Sequence, residues 1–377
     1  MTAWNFDHCP DRRGTGSMKW QRWAGQEVIP AWVADMDALA PATVLEALRA
    51  RIEHGVLGYS VPQRSFAESA CAWLATRHGW TVEPDAIVPL PGVVTGFNMF
   101  CRAIGAPGDG HLCPIPCYPP FLSAPGNQGQ RLLRVDLAQE ASGWRLDQAA
   151  LDAATDATTR SLLFCHPHNP TGRVWTDAEL AAWAEHCRRH DLWVLSDEIW
   201  ADLVLDGRHR PFVCAAPDLA ARTVTLYAPS KTFNLPGLCC AIAIIPDADL
   251  RKRFRAAGAG IVPSAEGLGM LGAETAWRTG GPWLDALLDH LRRNRDLVRA
   301  TLARLPRLKW QPGQATYLAW IDAQQSGVAD PAAHAVAHGV GLSDGRDFAA
   351  PGWLRLNFGC PRATLETALE RLARAFG

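Results

Sequence analysis

The chain has 377 residues, 48% of them apolar and 20% charged, with a formal net charge of −1. At about 150 residues per domain, this length predicts two to three domains and excludes a peptide or a small disulfide module. The composition is that of a globular chain with a large core, and the near-zero charge excludes a generally basic nucleic-acid binder.

The first segment, residues 1–40, is rich in Trp and Pro and poor in periodicity. It reads as an arm packing on a smaller domain. Its opening, MTAWNFDHCPDRRG, lacks the apolar core of a secretory signal. After it, a short apolar run, a turn and a helical pattern recur. Residues 86–90 (AIVPL) form the first run, followed by a Pro-Gly turn and a helix-like FNMFCRAI. Further strand-like runs fall at 111–115, 161–164, 192–195 and 223–227. Thr176 with Glu179 is a capping box that opens a helix to about residue 190. Residues 238–245 read as one more strand. Strands alternating with helices predict an α/β fold with a mostly parallel sheet.

The last third reads differently. A long amphipathic helix is expected over 283–305, strands at 317–321 and 353–358, and a final helix over 365–376. That pattern predicts a second, smaller α+β domain, with the boundary near Gly280-Gly281-Pro282. The expected division is an arm at 1–40, a large domain at 41–280 and a small domain at 281–377. No run reaches the ~18 uninterrupted apolar residues of a membrane span. The eleven cysteines are odd in number and include no Cys-x-x-Cys, so they read as buried free thiols in a reducing cytoplasm.

Ligands of open α/β sheets bind beyond the carboxyl ends of the strands, so the residues there carry the argument. After the first strand, Gly92, Val93 and Val94 enter a helix, and free amides at a helix start suit a phosphate. After 161–164 comes CHPHNPTG, whose rigid turn holds Asn169. His166 and His168 offer two metal ligands, but no third is identifiable nearby, and no metal is expected. After 192–195 comes Ser196-Asp197-Glu198, which taken alone reads as a helix cap more often than a site. After 223–227 comes APSKTFN. Only four of the 37 basic side chains are lysines. Lys19, Lys252 and Lys309 look bland, whereas Lys231 stands in an apolar, Pro-punctuated stretch. Such a lysine has a lowered pKa, which suits Schiff-base chemistry. A phosphate cradle, an amide, a carboxylate and an amine at successive strand ends match the needs of pyridoxal phosphate.

Nine motifs in order carry a resemblance over nearly the whole length: FDHCPDRRGTGSMKW, WVADMD, GYSVP, PGVVTG, PCYPPF, HPHNPTGRVWT, SDEI, APSKTFN and RLNFGCPR. The chain resembles the fold-type I pyridoxal-phosphate enzymes of the aminotransferase class I/II superfamily. Within them it is similar to the MalY/PatB branch of cystathionine β-lyases. The resemblance implies a large domain with a mostly parallel, seven-stranded type of sheet between helices, plus a smaller α+β domain. It implies that Lys231 forms the Schiff base and moves protons, Asp197 pairs with the pyridinium nitrogen, and Asn169 donates to the phenolic oxygen. Gly92, Val93, Val94 and Ser230 would hold the phosphate. Tyr118 would stack on the ring, and Arg355 would grip the substrate carboxylate. Main chain at Ala34 and Asp35 would line the substrate side. Tyr59 would reach the phosphate of a neighbouring subunit in a homodimer with shared sites.

Two positions depart from the pattern. Trp200 stands where the branch usually has His, a donor to the phenolic oxygen. Cys239 stands where many aminotransferases carry a phosphate-binding Arg, which leans toward the lyase branch. The implied reaction is β-elimination of cystathionine or another S-substituted L-cysteine to a thiol, pyruvate and ammonia. An aminotransferase using a 2-oxo acid is the alternative. A regulator that keeps the fold without turnover is a more distant one. The side-chain pocket is expected to draw partly on the Trp-rich arm.

Overall fold

The computed structural model describes residues 4–140 and 143–377. Helices α1 (Ala42–Glu53) and α2 (Arg64–His78) lead into strand β1 (Ile87–Leu90) and helix α3 (Val93–Ile104). Strands β2 (Gly110–Ile115), β3 (Arg131–Asp136) and β4 (Thr159–Cys165) follow. Then come helix α4 (Asp177–Arg189), β5 (Trp193–Asp197), β6 (Thr223–Tyr227), the one-turn helix α5 (Pro229–Thr232) and β7 (Ala241–Ile244). These strands form one seven-stranded sheet in the order β1-β7-β6-β5-β4-β2-β3. β7 runs antiparallel to both its neighbours, and the other pairs are parallel. The remaining six strands therefore end on one edge, where a ligand cleft belongs. The expected mostly parallel sheet is the one observed.

Local chemistry sets these elements. β6 is buried at every residue, as a central parallel strand covered on both faces must be. The Thr176 hydroxyl accepts from the Glu179 amide, and the Glu179 carboxylate accepts from the Thr176 amide, so the capping box starts α4. β7 begins three residues later than the expected 238. Residues Pro236–Leu238 form a 3-10 turn, and Cys239 takes a left-handed conformation at φ 47°. Neither can extend a strand.

Helix α6 (Gly267–Thr279) packs on α1 and α2. The C-terminal part holds the long helix α7 (Gly281–Leu302), strands β8 (Leu318–Asp322), β9 (Ser343–Asp344) and β10 (Trp353–Asn357), and helix α8 (Arg362–Phe376). Its strands form an antiparallel sheet in the order β8-β10-β9. α7 starts ahead of Trp283 because Pro282 sits in its first turn, where no amide is needed. The arm lies on these elements. Ile29–Pro30 pairs in parallel with Val340–Gly341, and the Asn357 amide donates to the Ala31 carbonyl at 2.9 Å. The first three residues of the expected arm lie outside the described residues. No described helix is long and apolar enough to cross a membrane.

Candidate active site

A cavity of about 320 Å³ opens at the carboxyl edge of the large sheet, in the size range of ~300–1,000 Å³ usual for small-molecule sites. Successive strand ends furnish its wall. Gly92, Val93 and Val94 come from the β1–α3 turn, Asn169 from beyond β4, and Asp197 from the last position of β5. Lys231 and Ser230 come from α5, directly after β6. Arg355 reaches in from β10, and Val33 and Ala34 from the arm. Tyr118, Trp200 and Cys239 complete the wall. Twelve of the thirteen expected site residues thus meet here or border it; Asp35 lies next door, on an adjoining cavity. Tyr59 is the exception. It is fully exposed, with exposed Val56, Leu57 and Val61 around it.

The Lys231 ammonium donates to the Ala34 carbonyl at 2.6 Å. Burial pushes its pKa down to about 8, against the opposing field of Asp35. The Asp197 carboxylate is buried and, among the described residues, accepts only the Ile199 amide, at 3.2 Å. Burial pushes its pKa up to about 7. It is not a helix cap, because a turn rather than a helix follows β5. Its lone reading as a cap therefore fails.

Arg355 is 4% exposed, yet no carboxylate among the described residues lies within 4 Å of it. It donates to the Asn169 side-chain oxygen at 3.0 Å, to the Trp32 carbonyl at 3.0 Å and to the Ser343 hydroxyl at 3.3 Å. Its Nε has no partner, and its guanidinium lies 4.5 Å from the centre of the Phe348 ring. Burial pushes its pKa down to about 10. Because Asn169 Oδ1 faces Arg355, the Asn169 NH₂ is left for the cavity. α3 has no side-chain cap, so its first amides are open.

Behind this wall lie polar networks the sequence reading missed. Asp202 is buried and accepts from Tyr227 (2.6 Å), Thr232 (2.8 Å), His78 (2.9 Å) and Trp73 (3.1 Å). Tyr227 and Thr232 bracket Lys231, so one carboxylate fastens both ends of its turn. Glu198 bonds Ser196, His209 and the Phe212 amide, fixing the segment that carries Asp197. His166 bonds the Arg210 carbonyl and His168 the Thr171 hydroxyl. Burial lowers the pKa of both histidines to about 3, so they are neutral parts of this packing.

Two expectations need correction. Lys19 is not bland. It is 1% exposed, donates to Asp37 at 2.6 Å and sits 3.7 Å from Asp35. Arg12 joins the same two carboxylates. The signal was present in WVADMD, whose acids at i and i+2 share one face of an extended chain. The arm's tryptophans do not line the cavity either. Trp20 and Trp32 point to the cluster, donating to Asp37 and to the Lys19 carbonyl. The arm supplies Val33 and Ala34 instead, and the aromatic walls are Tyr118 and Trp200.

The fold and cavity define an α/β enzyme built around a half-buried amine, a buried carboxylate and a buried guanidinium without an ionic partner among the described residues. Residues 33–372 match the family of class I and II aminotransferases, and the chain belongs to that family. Cystathionine β-lyase PatB of Bacillus subtilis is 36% identical, over 98% of this chain and 99% of its own. The crystal structure of OvoB is 43% identical and superposes with a TM-score of 0.96, covering 99% of each chain. Cystalysin from Treponema denticola, whose crystal structure contains pyridoxal 5′-phosphate, is 31% identical with a TM-score of 0.94, covering 99% of this chain and 98% of its own.

Proposed function

We propose that this chain is a pyridoxal-phosphate-dependent carbon–sulfur β-lyase. It converts an S-substituted L-cysteine and water to a thiol, pyruvate and ammonium. The carrying observation is the convergence of Lys231, Asp197 and Arg355 on one cavity, the last two buried and the first half-buried, each lacking an ionic partner among the described residues. The residues fit the cofactor. The uncapped α3 amides suit its phosphate, Asp197 lacks the cation its burial calls for, and the Asn169 NH₂ is free to donate.

When bound, pyridoxal phosphate supplies an aldehyde that condenses with amines and a ring that withdraws electrons from the substrate Cα. Lys231 holds the aldehyde before substrate arrives, then takes the α-proton at Nζ. Its pKa of about 8 leaves about a tenth of it neutral at pH 7, far more than an ordinary lysine near 10.5 would have. Asp197 keeps the ring nitrogen protonated. Arg355 binds the α-carboxylate through its fork, with Asn169 and the Trp32 carbonyl fixing the plane. Tyr118 covers the ring face, and Trp200 closes the cavity floor against Tyr317 at 4.9 Å between ring centres.

The same reading divides the chain into an arm (1–40), a large domain (41–280) and a small domain (281–377). It makes the enzyme a homodimer whose exposed Val56, Leu57, Tyr59 and Val61 meet the neighbouring subunit, with Tyr59 at the neighbour's phosphate. Eleven free cysteines support a cytoplasmic location. The test is release of pyruvate and ammonia from L-cystathionine by cofactor-loaded protein without a 2-oxo acid. Repeated release is expected, and Lys231→Ala should lower it at least ~100-fold. Turnover only with a 2-oxo acid acceptor would make the enzyme an aminotransferase.

A further inference from the structure

A second cavity, about 580 Å³, adjoins the first and shares Val33, Ala34, Lys231 and Pro236 with it. Its outer wall is the N-terminal arm, through Cys9, Pro10, Arg12 and Met18. Asp35 and Leu39 form another side. Lys231 therefore stands on the boundary between two chambers.

The segment between the chambers is fixed at each carbonyl. Trp32 is held by Arg355, Val33 by Asn357, Ala34 by Lys231 and Tyr317, and Asp35 by Asn357 and Lys19. Met36 is held by Arg12 and Asn234. When Lys231 and Arg355 turn to their ligands, Tyr317 still holds Ala34, Asn357 holds Val33 and Asp35, and Asn234 holds Met36, so the partition keeps its shape. The charges on its outer side cancel: Arg12 and Lys19 against Asp35 and Asp37. Against burial, Lys19 leads in holding the Asp37 carboxyl below its ordinary range, so that carboxylate stays ionised.

Resting on the lyase reading, we infer that this second cavity receives the S-substituent of the substrate, and that Arg12 and Asp35 select substituents that are neutral or carry both charges. The Cβ–S bond breaks with its electron pair on sulfur, so the thiolate forms at the chamber mouth. Lys231, carrying the former α-proton, borders that mouth and hands the proton over, which yields the free thiol. A singly charged substituent gains little from a neutral ion pair. Its carboxylate would have to displace Asp35 from Arg12, and its amine would have to displace Arg12 from Asp35. A zwitterion meets both groups without leaving either unpaired.

The experiment compares four substrates of the loaded enzyme by pyruvate release: β-chloro-L-alanine, L-cystathionine, S-carboxymethyl-L-cysteine and S-(2-aminoethyl)-L-cysteine. β-Chloroalanine has a leaving group too small to need the chamber. The wild type should prefer cystathionine over both singly charged thioethers by about tenfold or more in kcat/KM, equivalent to ~1.4 kcal/mol. Leu39→Trp, at a half-exposed position on the second cavity only, should lower the cystathionine to β-chloroalanine ratio at least tenfold. Arg12→Lys should narrow the preference for cystathionine over the charged thioethers. If β-chloroalanine turns over but the ratio is the same in Leu39→Trp, the chamber is refuted and the lyase reading stands. A preference for either charged thioether refutes the selection by Arg12 and Asp35. If no substrate releases pyruvate, the lyase reading fails and the chamber with it.

Discussion

Replacing Asp197 by Asn should stabilise the cofactor-free protein while destroying its activity. The carboxyl moves from an ordinary 3.8 to about 7 because burial penalises its charge. At about 1.4 kcal/mol per decade, keeping it ionised in the fold costs about 4 kcal/mol. The sign follows from proton counts. Between pH 3.8 and about 7 the folded chain holds a proton that the unfolded chain has released. Stability therefore falls as pH rises through that window, and the full loss is present above it. The amide of Asn has no charge to desolvate and can still accept the Ile199 N–H.

The assay is urea unfolding of cofactor-free wild type and Asp197→Asn at pH 4 and pH 8. The two should differ little at pH 4. At pH 8 the variant should be more stable by up to about 4 kcal/mol. Adding pyridoxal phosphate should raise the wild-type midpoint more than the variant's, because only the carboxylate gains a cationic neighbour. Equal midpoints at pH 8, or a gap as large at pH 4, would refute the argument that Asp197 is a buried charge awaiting its partner.

The other groups behave in related ways. Arg355→Lys should lower kcat/KM for any thioether by about 10- to 100-fold, since an ammonium cannot make the forked contact; steady-state kinetics decides it. Asp202→Ala should destabilise the fold by ~3–5 kcal/mol, because it leaves four buried donors, including His78, without their carboxylate. Thermal unfolding measures that loss, and Asp202→Asn should recover part of it. Lys231 in cofactor-free protein should react with an amine-directed reagent with a midpoint near pH 8, read by mass spectrometry of its peptide; a midpoint at the ordinary 10.5 would contradict its burial.

Sequence reasoning reached the sheet because local signals and tertiary packing agree there. Apolar runs at 161–164, 192–195 and 223–227 are strands buried on both faces, and the Thr176–Glu179 box starts a helix where it should. The strand-end logic then brought Asn169, Asp197 and Lys231 to one cavity. It stopped where partners are distant in sequence. Asp202 binds His78, 124 positions away, and nothing in ADLVL announces that. Lys19 was misjudged for the same reason. A lysine in an arm without clear periodicity looks solvated until the fold lays Asp37 against it. Tyr59 lies beyond one chain's geometry altogether, since its expected target belongs to a neighbour.

The buried charges of this chain fall into two groups, and the division separates structure from chemistry. Lys19 has Asp37 at 2.6 Å, and Arg12 joins the same cluster through Asp35 at 2.7 Å and Asp37 at 2.6 Å. These pairs lie beside the site and hold backbone in place. Lys231, Asp197 and Arg355 have no such partner among the described residues, and burial drives each toward its neutral form. A fold tolerates an unpaired buried charge only when something else supplies the counter-charge. Here the three missing partners are an aldehyde carbon, a cationic ring nitrogen and a carboxylate. The first two belong to the cofactor and the third to every amino-acid substrate. Loading the site should therefore stabilise the fold and complete the active site in the same event, whereas truncating any one of the three should uncouple the two effects.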